Sequence, residues 1–338
     1  MIRAGIIGLG KMGISHCAIL GAHPDVNLVA VCDASKLVLD AFKKYTKFEC
    51  FDEYKKMIDK MELECLIVAS PTKFHAEMVA YALKKNIHVF CEKPFSLNSE
   101  EGKLLSQLAK ELKLVNQVGY HNRFLGTFME AKRLLSLNII GELYHFTGES
   151  YGPVVLKEKG GTWRSEKGQG GGCLYDYASH TIDLINFVID KSVSVSGTNL
   201  KSIYSKNVED AVYSSIKLKN GLTGQLAVNW SDDTHRKMNT QITVIGKNGK
   251  IIADATEIKI YLKEENSLFN LKKGWNSKYI TDLTESVDFN LRGEEYTSQI
   301  DHFIDCIKTK NLQNKSSFES AFSTDQLITL LIEDNLRN

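Results

Sequence analysis

The segment Gly170-Gly171-Gly172-Cys173-Leu174-Tyr175-Asp176-Tyr177-Ala178-Ser179-His180-Thr181-Ile182-Asp183 sets a carboxylate and an imidazole four residues apart behind a run of glycines. On a helix that spacing places Asp176 and His180 on one face, near the helix start, with Asp183 further along a similar face. Histidine titrates near neutral pH and can take a proton from a hydroxyl. The glycines let backbone lie close to a ligand. A second group is Cys91-Glu92-Lys93-Pro94, which ends an apolar run. Ligands bind outside the carboxyl ends of parallel strands, so Lys93 is placed to face one. A lysine there can hydrogen-bond a developing alkoxide and hold a nearby base unprotonated. The same residues can also be read as a capping aspartate with a satisfied structural histidine, and as a solvated lysine beside a strand-ending proline.

A third group names the partner of that chemistry. Gly8-Leu9-Gly10-Lys11-Met12-Gly13 follows the apolar run Ala4-Gly5-Ile6-Ile7, precedes a helical stretch from Lys11 to Leu20, and is followed by a second apolar run, Val26 to Cys32, ending on Asp33. Glycines in this strand–turn–helix–strand setting, with the acidic residue after the second strand, are the dinucleotide fingerprint. Gly8 permits the tight turn, Gly10 lets backbone approach a pyrophosphate, and Gly13 lets helix and strand pack closely. The pyrophosphate then meets the unpaired N–H groups of the helix N-terminus. Lys11 and Met12 belong to the same turn. Asp33 suits the two ribose hydroxyls and repels a 2′-phosphate, which favours NAD over NADP, although Lys36 stands close by.

These groups need a scaffold, and the first 120 residues supply an alternation of strand and helix. Helical stretches run over 35–45, 74–85 and from Asn98 or Ser99 onward, with Asp52 able to cap another. Strands fall at 48–51, 64–69, 87–91 and 113–119. Such spacing means crossovers and a parallel, doubly wound sheet. Near residue 123 the rhythm changes: a helix over 124–137, a strand over 142–151, a Gly- and Lys-rich loop over 152–172 and a helix over 175–189. Short strand-like runs then extend to about Leu262, among them 208–218, 222–230, 239–245 and 250–253, with Asn220-Gly221 and Asn248-Gly249 as turns. Two helices, about 294–308 and 318–335, close the chain. The expected architecture is α/β: a Rossmann domain over 1–122, then an α+β domain over 123–338 with a large mixed or antiparallel sheet. The closing helices, about 294–335, are candidates to pack back on the Rossmann domain.

Composition bounds the rest. Of the 338 residues 43% are hydrophobic, enough for two cores, and the formal net charge of +1 offers no long-range attraction to nucleic acid or anionic membrane. No stretch of 18 or more apolar residues suggests a membrane span, and the glycine-broken N-terminus does not read as a signal peptide. The seven cysteines form no Cys-x-x-Cys pair. They suit buried thiols in a reducing cytoplasm. No histidine–carboxylate spacing calls for a metal.

Together the glycine motif, Glu92-Lys93-Pro94, and Gly-Gly-Gly-x-Leu-x-Asp-x-x-x-His-x-x-Asp over 170–183 resemble the glucose–fructose oxidoreductase/inositol dehydrogenase (Gfo/Idh/MocA) family. Ser70-Pro71-Thr72 with His75, Ile140-Gly141-Glu142 and Trp163-Arg164 also fit, so the resemblance spans the chain. It implies hydride transfer between NAD(P) and a secondary alcohol of a sugar, nucleotide sugar or cyclitol. It further implies an open-faced C-terminal sheet buried in a homodimer or homotetramer. By the resemblance Lys93 contacts both the substrate hydroxyl and the nicotinamide ribose, His180 is the general acid/base, and Asp176 orients substrate. Ser70, Pro71, His75 and Glu92 fall where the family contacts cofactor, and the Lys93–Pro94 bond is a candidate cis peptide. Tyr177 and Ala178 depart from the small residue and glycine that often precede the histidine.

Substrate residues are sought in Gly119-Tyr120-His121-Asn122-Arg123-Phe124, which leaves the last Rossmann strand. Tyr120, Asn122 and Arg123 are expected to line the substrate site, while His121 reads as structural. Arg123 and Arg164 could pair with a carboxylate or phosphate, or form ordinary salt bridges. Lys157 and Lys159 would suit a diphosphate or simply be solvated. Tyr151 and Trp163 could stack on a pyranose or a uracil, or simply pack. The expectation leans to an activated sugar such as a UDP-hexosamine oxidised at C3, with a free sugar, an inositol or a keto-sugar as alternatives. A different class of answer is a non-catalytic dinucleotide-binding regulator, which would have no use for Lys93, Asp176 and His180 together. A third is a family member that isomerises or hydrolyses with no net cofactor reduction.

Overall fold

A computed structural model describes residues 1–156 and 163–337. The chain divides into two compact units, one of residues 1–121 and 286–322, the other of 122–285 and 323–338.

The first unit contains the strands β1 (Ile2–Ile7), β2 (Val26–Cys32), β3 (Glu49–Phe51), β4 (Cys65–Val68), β5 (His88–Cys91) and β6 (Asn116–Val118). Between them run α1 (Lys11–Ala22), α2 (Lys36–Tyr45), α3 (Tyr54–Lys60), α4 (His75–Lys84) and α5 (Ser99–Glu111). The strands form one parallel sheet in the order β3-β2-β1-β4-β5-β6. The order reverses at β1/β4, and the glycine turn leaves β1 at that switch point, where α/β sheets bind ligands. Both faces are covered, as a parallel sheet requires. Along β4, Leu66 and Val68 pack with Met57, Val79, Leu83 and Leu105 of α3, α4 and α5. Cys65 and Ile67 face the opposite way, toward Ile19, Leu20 and Leu39 of α1 and α2 and toward Phe303.

The second unit holds α6 (Gly126–Ser136), β7 (Leu143–Tyr151), α7 (Ser179–Val188), β8 (Ser192–Lys201), β9 (Ala211–Leu218), β10 (Thr223–Asn229), β11 (Asn239–Gly246), β12 (Gly249–Ala253), β13 (Glu257–Leu262), β14 (Gly274–Tyr279) and the short α8 (Ile280–Leu283). Its sheet of eight strands, among the described residues, runs β14-β13-β12-β11-β7-β10-β9-β8. Only the β7/β10 pair is parallel, so the sheet is mixed. Alternate residues such as Ile242, Val244, Ile251, Ile258 and Ile260 turn to one face and pack with Phe128, Ile182 and Ile185 of α6 and α7. α9 (Glu294–Thr309) belongs to the first unit, and Ile300, Phe303 and Ile304 lie in its core. α10 (Phe318–Arg337) begins there, with Phe318 stacked on Phe95, while Leu327, Ile328 and Leu331 lie in the core of the second unit.

Several local expectations change. Asp52 does not cap α3, whose N-cap is Glu53 with no side-chain cap bond. Strand β14 was not anticipated: its exposed positions, Trp275, Ser277 and Tyr279, alternate with small or polar residues that carry little hydrophobic signal. The β11–β12 turn is Lys247-Asn248, because Gly246 and Gly249 pair across it. All seven cysteines are free thiols. No helix among the described residues is long and apolar enough to cross a membrane.

Candidate active site

In the first unit the glycine turn is built for close approach. Gly8 has φ +90°, and a Cβ there would lie 2.6 Å from the Ala69 backbone. A Cβ at Gly13 would come within 1.7 Å of the Gly8 carbonyl oxygen, so helix and turn touch as only glycine allows. At Gly10 a Cβ would meet nothing within 4 Å, and Gly10 is the N-cap of α1 with no side-chain cap bond. The helix therefore presents bare N–H groups and an open approach, the donor set a pyrophosphate needs. Asp33 is aimed at the same turn: Leu9 N–H donates to Oδ2 at 2.7 Å and Ser35 N–H to Oδ1 at 2.7 Å. Lys11 and Lys36 are exposed and Met12 is half-buried. These residues fit a dinucleotide.

Lys93 follows β5 and is half-buried, and its bond to Pro94 is cis. Beside it Glu92 is buried, its Oε1 2.6 Å from His16 Nε2. Burial alone would raise the Glu92 carboxyl; the His16 hydrogen bond and charge, with Lys93, outweigh it and hold it below the usual carboxylate range. Ser70 and Pro71 lie after β4, Ser70 half-buried and Pro71 exposed. His75 was expected to contact cofactor. Instead its ring is 1% exposed, with Nε2 2.8 Å from the Ser70 carbonyl oxygen and Nδ1 3.1 Å from that of Pro94. Burial lowers its pKa; a neutral ring has one N–H and donates to one of these two carbonyls, so it is held between the two loops. Tyr120 is fully buried in the core of the first unit.

In the second unit the helical start expected at Tyr175 is a π-type turn over Leu174–Ala178 that runs directly into α7. Such turns are rare and recur at functional sites. It carries Asp176, and His180 sits in the first turn of α7; both are buried. Arg164 donates from Nε to Asp176 Oδ2 at 2.9 Å, and its guanidinium lies 4.7 Å from the centroid of the Trp163 ring. Trp163, Arg164, Asp176 and His180 are thus brought together or set on adjoining turns. Glu209 holds the start of the π turn: its Oε1 accepts the Leu174 N–H at 2.8 Å and its carbonyl the Cys173 N–H at 2.9 Å. Glu209 was missed, since nothing in its sequence setting links it to a turn 35 residues earlier.

Arg123 and Tyr151 are placed otherwise than expected. Arg123 is 2% exposed and grips Asp183 with two hydrogen bonds, 2.8 and 2.5 Å, so both are committed to a buried ion pair. Tyr151 lies on the opposite face of the sheet from α7. Its hydroxyl donates to Glu149 two residues back, whereas Gly148 and Ser150, on the other face, meet α7 at Ile185 and Thr181. Asn122 is buried, and its Nδ2 has no hydrogen-bond partner among the described residues. Lys157 and Lys159 lie outside the described residues. No cluster of His, Cys, Asp or Glu among the described residues could hold a metal ion.

A parallel sheet with a dinucleotide turn, followed by a mixed sheet whose helix carries an acid–imidazole pair, defines a two-domain NAD(P)-binding oxidoreductase. Residues 2–120 match the oxidoreductase family with the NAD-binding Rossmann fold, and residues 128–252 match the GFO/IDH/MocA C-terminal domain. The chain belongs to the Gfo/Idh/MocA oxidoreductase family. It is similar to glucose-6-phosphate 3-dehydrogenase of Bacillus subtilis, 30% identical over 65% of either chain. It is also similar to scyllo-inositol 2-dehydrogenase (NAD(+)) of the same organism, 24% identical over 91% of this chain and 86% of that one. Levoglucosan dehydrogenase in complex with NADH and levoglucosan has the same fold, with a TM-score of 0.88 at 19% identity, covering 99% of this chain and 97% of the other.

Proposed function

We propose that the chain is an NAD-dependent dehydrogenase acting on a secondary hydroxyl of an uncharged sugar or cyclitol. The observation that carries this reading is the buried Asp176 and His180 on adjoining turns, with Arg164 holding the carboxylate. His180 accepts the hydroxyl proton, and Asp176, oriented by Arg164, accepts hydrogen bonds from substrate hydroxyls. Lys93 donates to the oxygen as negative charge develops on it. Bound NAD supplies the acceptor for the hydride that leaves the same carbon. Asp33 supports NAD over NADP, because a 2′-phosphate would meet its carboxylate.

The substrate class follows from the guanidinium groups. Arg123 is spent on Asp183 and Arg164 on Asp176, so neither supports the UDP-hexosamine of the initial expectation. An anionic group near Arg164 would also meet Asp176. Neutral hydroxyls suit such a paired carboxylate and guanidinium better. The relatives' substrates, a sugar phosphate and an inositol by name, bracket this choice. We further propose that copies of the chain associate through the open face of the eight-stranded sheet, and that the free thiols work in the reducing cytoplasm.

Initial rates with matched pairs test the substrate reading: glucose against glucose 6-phosphate, and inositols against their phosphates. Preference for the uncharged member is expected. A kcat/KM higher for the phosphorylated member, or turnover of UDP-sugars alone, would overturn it.

A further inference from the structure

The buried histidine of α1 has no part in the proton transfer proposed above, yet it is joined to the lysine turn. His16 lies three residues beyond Gly13 and is fully buried. Phe90 packs edge-on against its ring, with centroids 5.2 Å apart at 65°. Its Nε2 donates to Glu92 Oε1 at 2.6 Å, and the other oxygen of Glu92 accepts the backbone N–H of Lys93 at 3.1 Å. The carboxylate has room because residue 119 is glycine: a Cβ there would stand 3.0 Å from its carbon and from both oxygens. On the far side of the lysine, His75 Nδ1 faces the Pro94 carbonyl at 3.1 Å.

Burying a carboxylate beside an imidazole costs desolvation that an apolar pair of the same volume would avoid. Packing of α1 already has Cys17, Ile19 and Leu20. The pair therefore needs a reason beyond stability, and its geometry supplies one.

We propose that His16 is a positioning residue for Lys93: it fixes the Glu92 carboxylate, which fixes the lysine's backbone N–H. The helix whose N-terminus receives the pyrophosphate then also sets the lysine, so cofactor grip and lysine placement share one rigid element. The inference rests on the reading of Lys93 as catalytic.

The test compares His16→Leu with His16→Gln, which keeps a donor for Glu92. Amide hydrogen exchange at Lys93, measured in the full chain with and without NADH, reads the geometry without any substrate. In His16→Leu the Lys93 amide is expected to exchange about tenfold faster or more. Its kcat should fall roughly tenfold to a hundredfold, with KM and the NADH dissociation constant changed by less than about threefold. His16→Gln should restore protection and most of kcat. Wild-type exchange at Lys93 in His16→Leu would overturn the proposal. So would a His16→Gln protein that melts like wild type yet behaves as His16→Leu. If Lys93→Met remained active, the catalytic reading would fail by itself, and the exchange result would still report whether His16 holds the turn.

Discussion

At the scale of single residues, charge is handled by pairing inside the protein. Glu92, Asp176 and Asp183 are each buried, and each has a cationic or imidazole partner within hydrogen-bonding distance. His75, His88, His121 and His302 follow the opposite rule: burial lowers the pKa of each. Burial pushes His121 from its usual 6.5 down to about 4, where its ring stacks on Tyr296 at 4.5 Å. A depressed imidazole pKa means that the unfolded chain binds the proton first as pH falls. Stability from this group is present above about 6.5 and is lost on the way down to about 4. Buried carboxyls raised by burial, such as Glu209 and Glu295, act with the opposite sign, so a difference measurement is needed. The expected outcome is that the thermal midpoint of His121→Gln declines less steeply between neutral pH and pH 5 than that of wild type. Parallel curves would contradict it.

At the scale of elements, the glycine turn and the π turn do different work. Gly13 is a packing glycine and Gly10 an access glycine, as their surroundings show. Gly13→Ala should therefore destabilise the fold, by about 3 kcal/mol or more, since its Cβ overlaps backbone. Gly10→Ala should melt like wild type yet bind NADH roughly tenfold more weakly, about 1.4 kcal/mol. Calorimetry and fluorescence titration separate the two; equal losses of stability would contradict this division. The alternation of strand and helix in the first third was legible, because a doubly covered parallel sheet writes itself as unbroken apolar runs such as Cys65–Val68. The four-residue spacing of Asp176 and His180 was legible, and both are buried, Asp176 in the π turn and His180 in the first turn of α7. The π turn itself was not legible, because its register depends on Glu209. His16 could have been found, since residues three apart on a helix share a face with Gly13. The side of the sheet taken by Tyr151 depends on strand register, which one strand's sequence does not fix.

At the scale of the whole molecule, the sheet of the second unit has one face packed by helices and one open. On the open face Tyr261 pairs across strands with Trp275, and Tyr279 lies further along the same strand. Trp275 and Tyr279 are each 56% exposed. Aromatic residues on an open sheet face are typical of surfaces that bury against a partner. A homo-oligomer is therefore expected in light scattering, and Trp275→Asp should shift it toward monomer without loss of helix or sheet signal in circular dichroism. A monomeric wild type would contradict the proposed association. The central claim is catalytic, and a single-turnover spectrum tests it most directly. Enzyme and NAD would be mixed at equal, high concentration with uncharged sugars and cyclitols, wild type beside Lys93→Met. The account predicts a stoichiometric rise of reduced nicotinamide with wild type and one substrate class, and NAD binding without reduction in Lys93→Met. Equal signals from the two proteins, or substrate conversion with no reduced nicotinamide at any time, would contradict it.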